Sequence, residues 1–140
     1  ANQKGPARIV TFSSDGYHRN FTLAQERRLL RLRLRTPKTG ENGTSPEISL
    51  GELPTGSPQH ILVTYRDGEV ITYLNGEEMD RNSRVSGDFS NWDAYQQLVF
   101  GAEFSDGRNW DGILDGVASL NRCVGVEEAK ARFRSAMTKS

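Results

Sequence analysis

Ile61-Leu62-Val63-Thr64-Tyr65-Arg66, Asp67-Gly68, Glu69-Val70-Ile71-Thr72-Tyr73-Leu74, Asn75-Gly76 and Glu77-Glu78-Met79-Asp80 follow one another without a break. Short runs rich in β-branched and aromatic residues, separated by two-residue turn pairs, predict strand, turn, strand, turn, strand. Asp-Gly and Asn-Gly suit type I′ hairpin turns, in which both central residues need positive φ. A three-stranded antiparallel meander is therefore the first expectation for this chain.

Outward from the meander the pattern stays β-like. Arg8–Ser13 reads as a strand and Ser14-Asp15-Gly16 as a turn. Asn20–Gln25 alternates, with Phe21, Leu23 and Gln25 on one face. Arg28–Thr36 alternates more strongly, Leu30, Leu32 and Leu34 against Arg31, Arg33 and Arg35, and stops at Pro37. Helical propensity alone would accept this run, but its two-residue period favours a half-buried strand. Pro37–Pro46 is a polar loop, Glu47–Leu50 a short strand, and Leu53–Pro58 a breaker cluster. Arg81–Asp93 reads as a long polar connection, and Gln97–Ala102 and Gly112–Asn121 as two further strands. Val126–Met137 is the one helical pattern; Glu127 and Glu128 at its start and Lys130, Arg132 and Arg134 later complement the helix dipole. The expected fold class is all-β, an antiparallel β-sandwich of roughly eight to ten strands with a short C-terminal helix.

The 140 residues make one domain, 1–140, large enough for a real core. Hydrophobic residues supply 35% and charged residues 26%, which suits a thin sandwich better than a deep α/β core. Eighteen basic residues balance eighteen acidic ones, so bulk charge gives no reason to expect nucleic acid. No run of apolar residues is long enough to span a membrane. Ala1-Asn2-Gln3-Lys4-Gly5-Pro6 lacks the apolar core of a signal peptide, as in a cytoplasmic protein, a processed one or a piece of a longer one. Cys123 is the single cysteine, which precludes an internal disulfide and, with only two histidines, argues against a Cys/His zinc site. It is expected to be a buried structural thiol.

From His60 to Phe133 the chain resembles the laminin-G-like modules of the concanavalin A-like lectin/glucanase superfamily. The resemblance is carried by His60-Ile61-Leu62-Val63-Thr64-Tyr65, Val70-Ile71-Thr72-Tyr73-Leu74-Asn75-Gly76, Leu98-Val99-Phe100-Gly101-Ala102-Glu103, Arg108-Asn109-Trp110-Asp111-Gly112 and Asp115-Gly116-Val117-Ala118. Arg122 to Phe133 is similar to the short helix that follows the last strand of such modules. The stretches Arg19-Asn20-Phe21-Thr22-Leu23 and Leu34-Arg35-Thr36, with Thr39-Gly40 and Asn42-Gly43, resemble a bacterial branch appended to membrane or cell-surface proteins, VanZ-like membrane proteins among them. The resemblance implies a concanavalin-like jelly roll in an extracytoplasmic setting, periplasmic or cell-surface. It also implies a role in recognition or docking, with protein subunits or a glycan as partner. Modules of this kind carry extra strands before the equivalent of Arg8. Their lack here suggests the ordered part of a longer chain, or an edge that a neighbouring protein completes.

Some enzymes share the superfold, and their signature is Glu-x-Asp-x-x-Glu on one strand. Glu47-Ile48-Ser49-Leu50-Gly51-Glu52 has the spacing but carries Ser49 where the middle acid belongs. Glu78-Met79-Asp80 has two members and then Ser83 where the last acid belongs. The expectation is a non-enzyme with no catalytic residues; a glycoside hydrolase, active or degenerate, is the alternative.

The binding candidates are Arg31, Arg33 and Arg35, with the aromatic candidates Trp92, which no strand pattern constrains, and Tyr95. A row of guanidinium groups could grip sulfated or carboxylated groups through forked hydrogen bonds. The plainer reading pairs the row with Glu47, Glu69 or Glu77 on neighbouring strands. Trp110 stands at the family's tryptophan position and is expected to pack in the core or its rim. Calcium is the possible cofactor, since oxygen donors on loops suit it: Asp88, Asn91 and Asp93 in one loop, Asp106, Asn109 and Asp111 in another. Asp and Asn are also ordinary turn formers.

Overall fold

The computed structural model describes residues 3–103 and 108–138. In chain order its elements are β1 (Gln3–Asp15), β2 (His18–Arg27), β3 (Leu29–Leu34), β4 (Ile48–Glu52), β5 (Ile61–Arg66), β6 (Glu69–Leu74), β7 (Glu77–Asn82), β8 (Gln97–Phe100) and α1 (Val126–Thr138). Five strands form one antiparallel sheet in the order β4-β3-β2-β1-β8, and the meander forms a second sheet, β5-β6-β7. The two sheets and the one helix among the described residues are the expected sandwich.

The core lies where the alternation of β3 puts it. Leu30, Leu32 and Leu34 are buried beside Ile9, Ile48, Leu50, Leu53, Val70 and Val85, with Ile61, Val63, Tyr65 and Leu74 of the meander closing from the other side. Burying a side chain of this size is worth about 1.5–3 kcal/mol. That gain repeats along β3, so a one-residue register slip there would turn Leu30, Leu32 and Leu34 together away from the core. A smaller cluster, Ile71, Tyr73, Val124 and Ala129, with Leu62 at its margin, seats α1 on the meander.

Asn75 and Gly76 both have positive φ, 52° and 82°, as the type I′ turn requires. At the other hairpin only Gly68 does, at 82°. Asp67 is occupied elsewhere: its Oδ1 accepts the Gly87 N–H at 2.7 Å, tying the long connection to the hairpin tip.

Three expectations change. Gly112–Asn121 is not a strand but an exposed, irregular segment. Its apolar residues, Ile113, Leu114, Val117 and Leu120, fall at mixed spacing that commits to neither face of a pleated strand, and Gly112 and Gly116 weaken it further. Cys123 is exposed rather than buried, with its Sγ 3.1 Å from the Tyr65 carbonyl. The first strand is no open edge: β1 lies between β2 and β8.

Glu127 and Glu128 occupy the first turn of α1, as predicted, although the last turn carries no basic residue. Glu128 accepts hydrogen bonds from Arg122 at 2.6 and 2.7 Å and from Arg132 at 3.0 and 3.1 Å. These two guanidinium groups, Arg122 first, pull its carboxyl from an ordinary 4.5 down to about 2. A folded-state value below the unfolded one gives support that is complete above pH 4.5 and fades as pH falls toward 2. Carbon-13 NMR of the Glu128 carboxyl is expected to show a midpoint near 2 that rises in Arg122→Gln. A wild-type midpoint at the ordinary value would refute the clamp.

Candidate functional site

Strict alternation along β1 would place Arg8 with Val10 and Phe12, on the apolar face. The register prevents this: Arg8 faces Ala24 while Val10 faces Leu23, so Ile9 is bulged out of the ladder. A second irregularity pairs Phe12 with Phe21 and then Ser13 with Arg19, skipping a residue on β2. Each bulge flips the side chains beyond it to the other face. Arg8 and Arg19 are thereby delivered to the polar face of the large sheet, beside Thr11, Ser13, Thr22, Arg31 and Arg33.

On that face the side chains of Arg8 and Glu103 are 4% and 1% exposed, and Arg8 Nε donates to Glu103 Oε2 at 2.9 Å. Arg8 Nη1 also donates to the Pro6 carbonyl at 2.6 Å, and the Ser13 hydroxyl donates to Glu103 Oε1. Arg33 pairs with Glu47 across to the β4 side, while Arg31 lies 3.3 Å from Glu26 and 3.8 Å from Glu47. Arg19 is 0% exposed. Its Nη2 donates to the Gly16 carbonyl, while its Nε and Nη1 have no hydrogen-bond partner among the described residues. Burial, then the nearby charges of Arg33 and Arg8, push its guanidinium down to about 10.

Of the predicted arginine row, Arg31 and Arg33 share this face and meet Glu47, one of the acids expected to pair with them. Glu26 is the partner that the sequence reading did not name. Glu69 sits in the other sheet with Arg66 and Arg81. Arg35 lies just past the end of β3; its N–H donates to the Asn20 carbonyl, and its Nε has no hydrogen-bond partner among the described residues.

The opposite face of the same sheet is covered unevenly. Phe12 faces both Phe21 and Leu98, and Val10 faces both Leu23 and Phe100, so all six share the apolar side. Near the β8 edge that side is open, with Leu98 51% and Phe100 49% exposed. Phe12, Phe21, Phe89, Trp92 and Leu98 line a groove of about 540 Å³ whose other wall is Ser119, Leu120 and Asn121. Trp92 is built into this floor. It stacks on Phe89 at 4.1 Å, meets Phe12 edge-on at 5.8 Å, and donates its indole N–H to the Arg35 carbonyl at 2.7 Å. Tyr95 is 90% exposed. Trp110 packs against the core, as expected, and its indole N–H donates to Gln25 at 2.9 Å.

The calcium candidates act largely as turn formers. Asp88 accepts from the Ser90 N–H and hydroxyl, which lower its pKa, and Asp93 accepts from the Tyr95 N–H. Asn91 is half-buried, and its Oδ1 has no partner among the described residues. Asn109 bridges to Arg8 through the backbone, and Asp111 is exposed. Asp106 lies outside the described residues. Among the described residues, no three Asp, Glu, His or Cys side chains gather about one metal-sized site.

Two antiparallel sheets packed face to face, one with a polar outer face and an apolar groove at its far edge, define a concanavalin-like sandwich. Residues 1–130 match the laminin-G model of the concanavalin A-like lectin/glucanases superfamily, and the chain belongs to that family. Among solved structures, it is similar to the 2.1 Å crystal structure of residues 221–444 of an S-layer domain-containing protein from Clostridium thermocellum. Identity is 17% and the TM-score 0.48, over 95% of this chain and 65% of that one, so this chain spans less than two thirds of that structure. No curated protein matches the chain.

Proposed function

We propose that this domain is a non-catalytic docking module that takes a protein segment at the β8 edge, within an extracytoplasmic or membrane-associated assembly. The observation that carries the reading is the half-exposed pair Leu98 and Phe100 on an edge strand. Clustered apolar exposure favours a partner surface, and an edge strand offers backbone N–H and C=O groups that an added strand can pair. The incoming segment lies beside β8, with alternate apolar side chains entering the groove over Phe12 and Trp92. Family membership supports a recognition role, and the bacterial resemblance supports the extracytoplasmic setting.

The carboxylates of the polar face support a non-catalytic reading over a glycoside hydrolase. A hydrolase needs two carboxyl groups converging on open space, one of them a proton donor. Glu47 is engaged by Arg31 and Arg33, and Glu103 accepts from Arg8 and Ser13.

Photo-crosslinking groups placed at positions 98 and 100 in the source cell test the docking reading. Crosslinks should map to one contiguous partner segment, and Leu98→Asp with Phe100→Asp should reduce recovery of that partner at least about tenfold. Crosslinks arising only from positions 31 and 33, or saturable binding to a glycan array that is indifferent to the double substitution, would overturn it.

A further inference from the structure

We propose that the polar face of the large sheet holds an oxyanion site centred on Arg19, taking a sulfate or carboxylate group, free or carried on a sugar. The site lies on the face opposite the docking groove and stands independently of that reading.

Arg8, Arg19 and Arg33 share the cluster with Glu47 and Glu103, the charged groups whose fields act on Arg19. Among the described residues, three guanidinium groups against two carboxylates leave one positive charge in excess, and adding the Arg31–Glu26 pair leaves that excess unchanged. A buried charge without a counter-charge is strongly unfavourable, and an anion is the group that removes the penalty. Both carboxylates are already committed, Glu103 to Arg8 and Ser13, Glu47 to Arg31 and Arg33.

Hydrogen bonding points to the same place. A guanidinium carries five N–H donors, and on Arg19 the unpartnered Nε and Nη1 account for most of them. The great majority of buried polar side-chain atoms have a hydrogen-bond partner, so a buried arginine with two idle nitrogens marks a place for an acceptor. Thr22 adds an unpartnered buried hydroxyl on the same face. Planar or tetrahedral oxyanions match guanidinium donors best. Arg19 reaches this position only through the bulge on β2, and bulges that re-aim a side chain concentrate at functional sites.

Access is through Arg33 and Glu47, whose side chains are 21% and 24% exposed. An arriving anion exchanges with the Glu47 carboxylate on Arg33 and lies between Arg33 and Arg19. Glu47 swings outward, and no covalent bond changes.

The test follows the Arg19 Nε–H resonance by NMR during addition of sodium sulfate, sodium glucuronate, sodium chloride at matched ionic strength, and glucose. Sulfate also stabilises proteins non-specifically, so saturation is the decisive feature. A saturable shift with sulfate or glucuronate, and none with chloride or glucose, is expected. Response to both anions assigns the shared oxyanion chemistry; response to sulfate alone assigns the tetrahedral group. Arg33→Gln should weaken binding about tenfold, as loss of one charge-assisted contact implies. Glu47→Gln removes the competing carboxylate and should tighten it. Both substitutions sit at partly exposed positions, and circular dichroism verifies their folding. Linear, chloride-like changes, or variants that leave the affinity unmoved, would overturn the site.

Discussion

Arg8→Met is expected to lower the free energy of unfolding by about 3–5 kcal/mol, the range for breaking a buried ion pair by removing one partner. Glu103 is the reason. With its side chain 1% exposed, it would keep the Ser13 hydroxyl as a donor but lose the guanidinium that balances its charge. Arg8 also bonds the Pro6 carbonyl at 2.6 Å, so the substitution releases the early part of β1 from its side-chain tether. The double variant Arg8→Met with Glu103→Leu should recover most of the loss, because neither member of this pair is then left without its partner. Urea unfolding of the two single variants and the double variant measures this directly, provided the m-values agree. A single-variant loss below about 1 kcal/mol would mean that the pair is screened as a surface bridge is.

The same pair explains where sequence reading succeeds and where it stops. Leu30, Leu32 and Leu34 could be read inward because nothing interrupts the two-residue period of β3. The meander could be read because its strands are short and its turn pairs specific, although Asp67 spends its side chain on Gly87 instead of adopting the left-handed turn. Arg8 and Arg19 could not be assigned to the polar face, because parity places them with Val10 and Phe21. A bulge is one unpaired residue set by the partner strand, and nothing in Ile9 or Asn20 announces it. The sequence named Arg31 and Arg33 as a shared row but missed the two buried arginines that give the face its excess charge. Trp92 looked unconstrained because no strand pattern surrounds it; its partners Phe12, Phe89 and the Arg35 carbonyl come from three separate stretches of chain. The segment 112–121 went the other way. Its apolar content suggested a strand, but spacing decides whether apolar residues can share one face.

Gly43→Ala carries the second large effect, and Gly56→Ala is its control. Both glycines have left-handed φ, +65° and +91°. An alanine at either position meets the left-handed penalty of about 1–2 kcal/mol. At Gly56 no atom of the described residues lies within 4 Å of the new methyl group, so the loss should end there. At Gly43 the methyl would stand 2.7 Å from the carbonyl carbon of Leu34 and 2.9 Å from the nitrogens of Leu34 and Arg35. Those atoms are backbone at the end of β3, held by the Arg35 N–H bond to the Asn20 carbonyl and by the Thr39 hydroxyl on the Leu34 carbonyl. They cannot give way as a side-chain tip does, and overpacking of this kind adds about 1–3 kcal/mol. Gly43→Ala should therefore lose about 2–5 kcal/mol in urea unfolding, clearly more than Gly56→Ala; equal losses would show that the loop yields. The contact also reaches the polar face. The loop that Gly43 presses against β3 ends at Glu47, so displacing it should loosen the Glu47–Arg33 pair that closes the cluster over Arg19. Faster hydrogen exchange of the Arg33 Nε–H in Gly43→Ala, and not in Gly56→Ala, is the expected signature of that link.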